Sequence, residues 1–277
     1  MNERPGFPTA AEVPPEARDH LRDLLLTLAD NKRLLGIRYS DWILGAPSVE
    51  AGIACSAMAQ DEWGHGRIVY AMLKDFGLDP GALEHERGAS EYRSSALLDT
   101  PIETWPGLMA LNLLLDTAIS VQFEAMESSR FEPIHYKARK LLEEERFHFE
   151  HARGWTARLA MTDAGREALL EALEPAWRDC LRGFGPSGDT LSGSLADAGI
   201  TSGDADVLRS RWLERVGPVV EAAGLPFAER TPDGSMSTGE IEWEGWSAER
   251  RRDADGGPDP ETLARVRGDL NRALLMD

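Results

Sequence analysis

The chain is poor in cysteine and in positive charge, and each shortage excludes a class of protein. It has only two cysteines, Cys55 and Cys180. Two are too few for a disulfide framework or a cysteine-type zinc site, so we expect both to be small core residues of a reduced, cytosolic protein. Lysine and arginine total 30 against 48 acidic residues, a net charge of −18. This charge repels phosphate backbones and anionic lipid, which disfavours nucleic-acid and membrane partners.

Long apolar runs and strand-like alternation are also scarce. No run approaches the length needed to span a bilayer, and the opening MNERPGFPTAAEVPPE carries proline and acid where a signal peptide carries a basic and then an apolar stretch. We therefore expect a soluble, cytoplasmic protein. Since neither strand alternation nor a repeat of fixed period is visible, the predicted fold class is all-α.

Apolar residues instead recur every three or four positions, which predicts a series of amphipathic helices. The segment before residue 182 has four long helical patterns, and the composition after it is rich in glycine, serine and aspartate. This predicts a helical bundle over residues 1–182 and a C-terminal extension with short, partly irregular helices over residues 183–277. The expected helices cover residues 16–44, 48–76, 106–130, 134–161, 166–181, 205–223 and 260–275, with a polar connection at 77–101 and an irregular stretch at 226–258.

Two Glu-x-x-His spacings, Glu62 with His65 and Glu145 with His148, carry the chemical signal. Residues three apart share a helix face, so each pair can direct a carboxylate and an imidazole at one point, as two helices of a di-iron or di-manganese bundle do. For the first pair the alternative is a hydrogen-bonded pair at a helix interface. For the second, the acidic run EEE could be a solvated face, and His151 is an alternative ligand.

The other two long helices should each supply a further acid. Asp116 is the acid within the apolar run of the third helix, and its alternative role is a buried aspartate bonded to a neighbouring hydroxyl or amide. The first helix departs from the pattern because Lys32 lies on its inward stripe, whereas Asp30 is out of phase. A buried Lys32 can compensate Glu62 or Asp116 without any metal. These residues are compatible with three kinds of site: a complete two-metal site, a partial metal site and a metal-free cluster of charges.

The motifs ADNKRLLGIRYSDWILGAP, AMAQDEWGHGRIVY, LLLDTAI and EEERFHFEHARGW resemble the phenylacetyl-CoA epoxidase family, meaning the ferritin-like A and C subunits of the bacterial phenylacetate ring oxygenase. The tail, with LADAGI, LRSRWLERVGPVVEAAGLP and TGEIEW, resembles the C subunit in particular. The resemblance implies a ferritin-like four-helix bundle. It also implies that five residues occupy ligand-type positions of a di-iron site: Glu62, His65, Asp116, Glu145 and His148.

In that family the A subunit uses a di-iron centre and O₂ to epoxidise the aromatic ring of a CoA thioester. The C subunit is similar in fold, has lost the complete centre and is the scaffold on which A docks. Here Lys32, or the adjacent Arg33, falls where the first-helix Glu of a catalytic subunit would lie, so Lys32 is a candidate ligand replacement.

The resemblance implies a homologous catalytic subunit as partner, a CoA thioester as substrate and a homo- or hetero-oligomer. Electrons would come from a separate reductase, because the chain has no flavin or dinucleotide fingerprint and no Fe–S cysteines. Two other functions stay open. The chain could itself be a metal-dependent oxygenase or oxidase of a small molecule, with a di-iron or a single-metal site, or a metal-free assembly protein.

Overall fold

A computed structural model describes residues 5–269 of the chain. Most of this part is helical, and the all-α, ferritin-like fold class predicted from the sequence is confirmed. In chain order the elements are α1 (Pro15–Asp41), α2 (Val49–Met72), α3 (Pro80–His85), α4 (Trp105–Leu111), a π-helical segment (Asn112–Asp116), α5 (Thr117–Glu124), α6 (Glu132–Leu159), α7 (Asp163–Gly183), α8 (Thr190–Asp197), α9 (Ala205–Ala222), β1 (Glu229–Arg230), β2 (Met236–Ser237), β3 (Trp246–Ser247), β4 (Arg252–Asp253) and α10 (Pro260–Arg267).

The chain divides into two compact units. One comprises the residues up to His20 together with Glu103–Glu244, and the other comprises Leu21–Ile102 together with the residues from Gly245 onward. The first boundary falls within α1. The prediction of a bundle over residues 1–182 with an extension over 183–277 stays a prediction.

In the unit that starts at Leu21, α2 begins at a regular cap. The Ser48 hydroxyl accepts a hydrogen bond from the Ala51 amide at 3.2 Å, which satisfies one amide that the helix leaves free. A 3₁₀ turn follows α2, and Gly77 ends it with φ of 77°, a left-handed conformation that glycine adopts without steric cost. The β3–β4 hairpin and α10 belong to the same unit.

In the other unit, threonine side chains start two of the helices. Thr104 caps α4 by accepting from the Gly107 amide at 3.1 Å, and Thr162 caps α7 in the same way through Gly165 at 3.1 Å. The core between α4, α5, α6, α7 and α9 includes Trp212, which is fully buried. The β1–β2 pair is antiparallel.

Several stretches differ from the sequence expectations, among them α8, which lies where no helix was expected. The polar connection at residues 77–101 contains α3 and two 3₁₀ turns, and it buries Tyr92 and Leu98 completely. The irregular stretch at 226–258 contains the two short antiparallel strand pairs. The last helix ends at Gly268, whose φ is 74°, and the remainder of the helix predicted for 260–275 lies outside the described residues from 270 onward.

The expectation that no apolar run is long enough to span a bilayer was wrong by length and composition, since one helical segment within residues 5–269 passes that test. It spans Trp105–Glu124, and 83% of its most apolar window is buried inside the protein. A buried core helix passes the same test, so this segment is weak evidence for a membrane span.

Candidate metal centre

Three side chains of one unit form a buried cluster of metal-ligand type. Asp116, Glu145 and His148 each offer a ligand atom, and these atoms lie within 4.8 Å of one another. No residue of the three is more than 3% exposed. Carboxylate oxygen and imidazole nitrogen are ligands that iron and manganese accept, so the donor chemistry fits a divalent cation.

Helix α6 supplies two of the three ligands because of its phase. Its buried positions recur at three and four residues, and Glu145 and His148 continue the stripe of Ala138 and Leu141. The neighbouring Glu144 is only partly buried. The acidic run is therefore divided between the core and the surface, as the phase of the helix predicts.

The third ligand, Asp116, closes the π-helical segment between α4 and α5. A π segment contains one extra residue in a turn, which changes the direction of the side chains that follow and is common at functional sites. Trp212 supports this segment, since its indole Nε1 donates to the Leu114 carbonyl at 2.9 Å. The widened turn is thus held by a buried side chain of α9.

Hydrogen bonds connect the cluster internally. His148 Nδ1 lies 2.9 Å from Asp116 Oδ2, and the Ser120 hydroxyl donates to Glu145 Oε2 at 2.9 Å. Asn112 Nδ2 lies 3.4 Å from Asp116 Oδ2. Because a carboxylate oxygen only accepts, the geometry assigns the ring proton to Nδ1 in this arrangement. A metal bound by Nδ1 would replace that proton.

In the other unit, Lys32 of α1 and Glu62 of α2 form a buried ion pair. Lys32 Nζ donates to Glu62 Oε1 at 2.9 Å, and both side chains are 0% exposed. The two helices approach closely at Gly66, where an added Cβ would lie 3.5 Å from the Arg33 backbone nitrogen. Glu62 is thus one partner of Lys32, as the sequence allowed.

His65 is also buried, at 2% exposure, three residues after Glu62 on α2. Among residues 5–269, the alternative ligand His151 does not belong to the group whose ligand atoms lie within 4.8 Å of one another. It lies instead against Trp105 and Trp155, with ring centroids 6.3 and 6.5 Å away. Burial, and to a lesser extent His148, lowers the pKa of His151, which favours the neutral ring.

Asp30 has a role that the sequence did not indicate. It is 0% exposed, accepts a hydrogen bond from the Tyr70 hydroxyl at 2.6 Å and pairs with Arg87, whose Nη1 lies 3.0 Å from Oδ2. Burial and the Asp30 charge both raise the pKa of Tyr70, and burial raises the pKa of Tyr92 to about 12. Asp30 is therefore engaged in a structural ion pair rather than available as a ligand.

The prediction that both cysteines are core residues is confirmed. Cys55 and Cys180 are both buried and free. Burial raises the pKa of the Cys55 thiol to about 11 and that of Cys180 well above its usual value. Neither thiol has the low pKa of a reactive cysteine.

An all-α fold that buries carboxylates and an imidazole on the inward faces of its helices belongs to the ferritin-like class of helical proteins. Comparison with known proteins narrows this class. The family described as "Phenylacetic acid catabolic protein" matches residues 1–243, and the chain belongs to that family. A relative in Escherichia coli (strain K12), the C subunit of its 1,2-phenylacetyl-CoA epoxidase, is 26% identical over 203 residues, which cover 72% of this chain and 81% of the relative. The resemblance predicted from the sequence motifs is confirmed.

Proposed function

We propose that the chain is a C-type subunit of a phenylacetyl-CoA epoxidase type multicomponent oxygenase in aerobic phenylacetate catabolism. In this role it supports a homologous catalytic subunit and retains only part of a di-iron ligand set. Family membership and the similarity to a C subunit support the proposal.

The observation that carries the proposal is the buried pair of Lys32 and Glu62. A two-metal carboxylate site takes an acid from each of its four helices, two of them through Glu-x-x-His pairs. On α1 the inward position holds an ammonium, and this ammonium occupies one oxygen of the Glu62 carboxylate at 2.9 Å. A positive charge fixed beside a ligand carboxylate weakens that carboxylate for a second cation, because like charges repel most strongly where water is excluded.

The remaining cluster supports partial retention of metal binding. Asp116, Glu145 and His148 would hold a single divalent cation, and we propose iron. When bound, such an ion would supply Lewis-acid and redox chemistry. The protein side chains would orient it: Ser120 fixes the Glu145 carboxylate at 2.9 Å, and the π-helical segment fixes Asp116. Glu62 and His65 stay predictions from the sequence, as ligands of a complete two-metal set rather than of this single ion.

The partners follow from what the sequence contains. A reductase would deliver electrons to the catalytic subunit, since two buried cysteines cannot hold an Fe–S cluster. The CoA thioester would bind to the assembled complex. The location proposed for this assembly is the cytoplasm.

The cluster itself favours one second candidate. Two carboxylates and an imidazole within 4.8 Å are enough ligands for a mononuclear oxidase or oxygenase that acts on a small molecule. In that case the chain would turn over substrate without a homologous subunit.

Co-purification separates the two candidates. The tagged chain is expressed with and without an A-type catalytic subunit and its reductase, the mass of each complex is measured by light scattering, and O₂-dependent consumption of phenylacetyl-CoA is followed. We expect a stable hetero-oligomer and turnover only when the A-type subunit is present. Turnover by this chain with the reductase alone would contradict the proposal and support the second candidate.

Lys32→Glu is the matched variant for the metal question. It restores a carboxylate on α1, so we expect this variant to bind more iron per chain than the wild type. Lys32→Gln, which removes the charge without adding a ligand, should bind less iron than Lys32→Glu. Equal iron content in all three proteins would contradict the role assigned to Lys32.

A further inference from the structure

A cavity of about 320 Å³ adjoins the cluster of Asp116, Glu145 and His148. All three of these residues line it, so the cavity reaches the ligand atoms. Its outer part is lined by Arg146 of α6, which is exposed, and by Glu124 of α5 and Arg215 of α9. The Glu124 and Arg215 side chains are partly exposed, at 29% and 35%. The cavity therefore runs from the protein surface to the buried cluster.

Oxygen-bearing side chains follow one face of the helix along this cavity, from the end of the π-helical segment through α5. Asp116, Ser120 and Glu124 are four residues apart and all line the cavity, so they are stacked on the same side of the helix. At 1.5 Å per residue the three span about 12 Å. Their exposure increases outward, from 1% at Asp116 and 6% at Ser120 to 29% at Glu124. Such a row offers ligand oxygens at successive depths.

Thr117 adds an independent sign that the cavity receives a polar ligand. It lines the cavity and is 3% exposed, and its hydroxyl has no hydrogen-bond partner within the described part of the chain. Buried hydroxyls are nearly always hydrogen-bonded in folded proteins. The hydroxyl can form a hydrogen bond with a polar ligand or with the water around that ligand. Its oxygen can also coordinate a cation directly.

The outermost oxygen ligand is held by a salt bridge. Arg215 Nη1 and Nη2 donate to Glu124 Oε1 and Oε2 at 2.7 and 3.0 Å. Because both partners are partly exposed, water and salt screen this bidentate pair, so replacing Arg215 by a cation at Glu124 costs less than it would in the protein interior. While it is closed, the guanidinium neutralises Glu124 and stands at the entrance of the cavity.

We propose that this face of α5 is the route by which a hydrated divalent cation reaches the cluster, with Glu124 as the first ligand and Arg215 as the group that restrains it. The net charge of −18 attracts cations to the surface. The cation then exchanges water for the Ser120 and Thr117 hydroxyls before it reaches the carboxylates. This inference rests on the proposed ability of the cluster to hold a cation.

The test is the rate of Co²⁺ loading of the full chain, followed by the visible absorption of the bound ion in a stopped-flow instrument, together with Co²⁺ per chain at equilibrium. Glu124→Gln removes the first ligand, so loading should slow by about tenfold. Arg215→Gln frees Glu124, so loading should accelerate. If the salt bridge were purely structural, both substitutions would change the loading rate in the same direction.

Glu127→Gln is the control, because Glu127 is an exposed acid three residues after Glu124 that does not line the cavity. It should load at the wild-type rate. Thr117→Val, which keeps the shape of the side chain, should slow loading without disturbing the salt bridge. Equal rates in all variants with normal Co²⁺ content would overturn the entry route alone. No Co²⁺ binding in the wild type would overturn both the route and the proposed cation site.

Discussion

Removal of the Lys32 ammonium is the change for which the structure gives the clearest magnitude. At a separation of 2.9 Å and an effective dielectric constant near 20, the attraction between Lys32 and Glu62 is about 6 kcal/mol. Desolvation of two fully buried charges offsets most of this attraction, so the pair contributes little net stability relative to apolar residues. The loss of one partner has a different result, because it removes the counter-charge at 2.9 Å from a charge that stays buried.

We therefore expect Lys32→Met to lower the free energy of unfolding by about 3–5 kcal/mol in metal-free buffer. The double variant Lys32→Met/Glu62→Met should recover most of that loss, to within about 1–2 kcal/mol of the wild type. Urea denaturation followed by circular dichroism measures both effects. For the single variant the midpoint should fall by about 1 M or more.

The matched single variant Glu62→Met completes the cycle and should be destabilised to a similar extent. The reasoning would be refuted if Lys32→Met lowered stability by less than about 1 kcal/mol, or if the double variant were as unstable as the sum of the two singles. The first result would mean that water reaches the pair. The second would mean that Lys32 and Glu62 are stabilised by other groups and not by each other.

Three further predictions concern other buried groups. Because burial raises the pKa of Cys55 to about 11, only about one thiol in a thousand is ionised at pH 8. Iodoacetamide should therefore label Cys55 about 10²-fold more slowly in the native than in the unfolded chain. Equal labelling rates, measured by peptide mass mapping, would refute this. Trp212→Phe removes the donor to the Leu114 carbonyl, so it should cost about 1–3 kcal/mol and increase hydrogen exchange in the π-helical segment; unchanged protection there would count against the support assigned to Trp212. Arg87→Met leaves Asp30 uncompensated and should lower the Tm by about 6–15 °C, as measured by calorimetry; a Tm within a degree of the wild type would show that the Asp30 pair is not structural.

Much of the helical architecture was predictable because periodicity reports burial directly. The phase of α6 placed Glu145 and His148 inward and Glu144 towards the surface, and the burial of these residues agrees. Periodicity is less informative in α2, where the apolar Ile53 is 65% exposed. Apolar character alone does not determine which face of a helix is covered.

The features that sequence reasoning missed depend on contacts between distant positions. Asp30 and Arg87 are 57 residues apart, and their pairing buries part of a segment that reads as a polar connection. The π-helical turn at Asp116 changes backbone geometry without changing composition, so apolar periodicity does not reveal it. The strands at 226–258 have two residues each, too few to show alternation.

Only part of the site could be predicted from the sequence, for the same reason. The sequence identified Asp116, Glu145 and His148 as ligand types, but it left the partner of Lys32 open, because phase gives the face of a helix and not the height of its neighbour. The full five-residue ligand set stays a prediction.

The most direct test of the account is the iron content per chain after anaerobic loading with ferrous iron of protein purified without chelator. We predict no more than a single metal ion per chain, because Lys32 holds Glu62 and the retained cluster offers one set of ligands. The control is Glu62→Ala, which should leave this content unchanged. Two metal ions per wild-type chain, reduced in Glu62→Ala, would contradict the C-type assignment and identify the chain as a catalytic di-metal subunit.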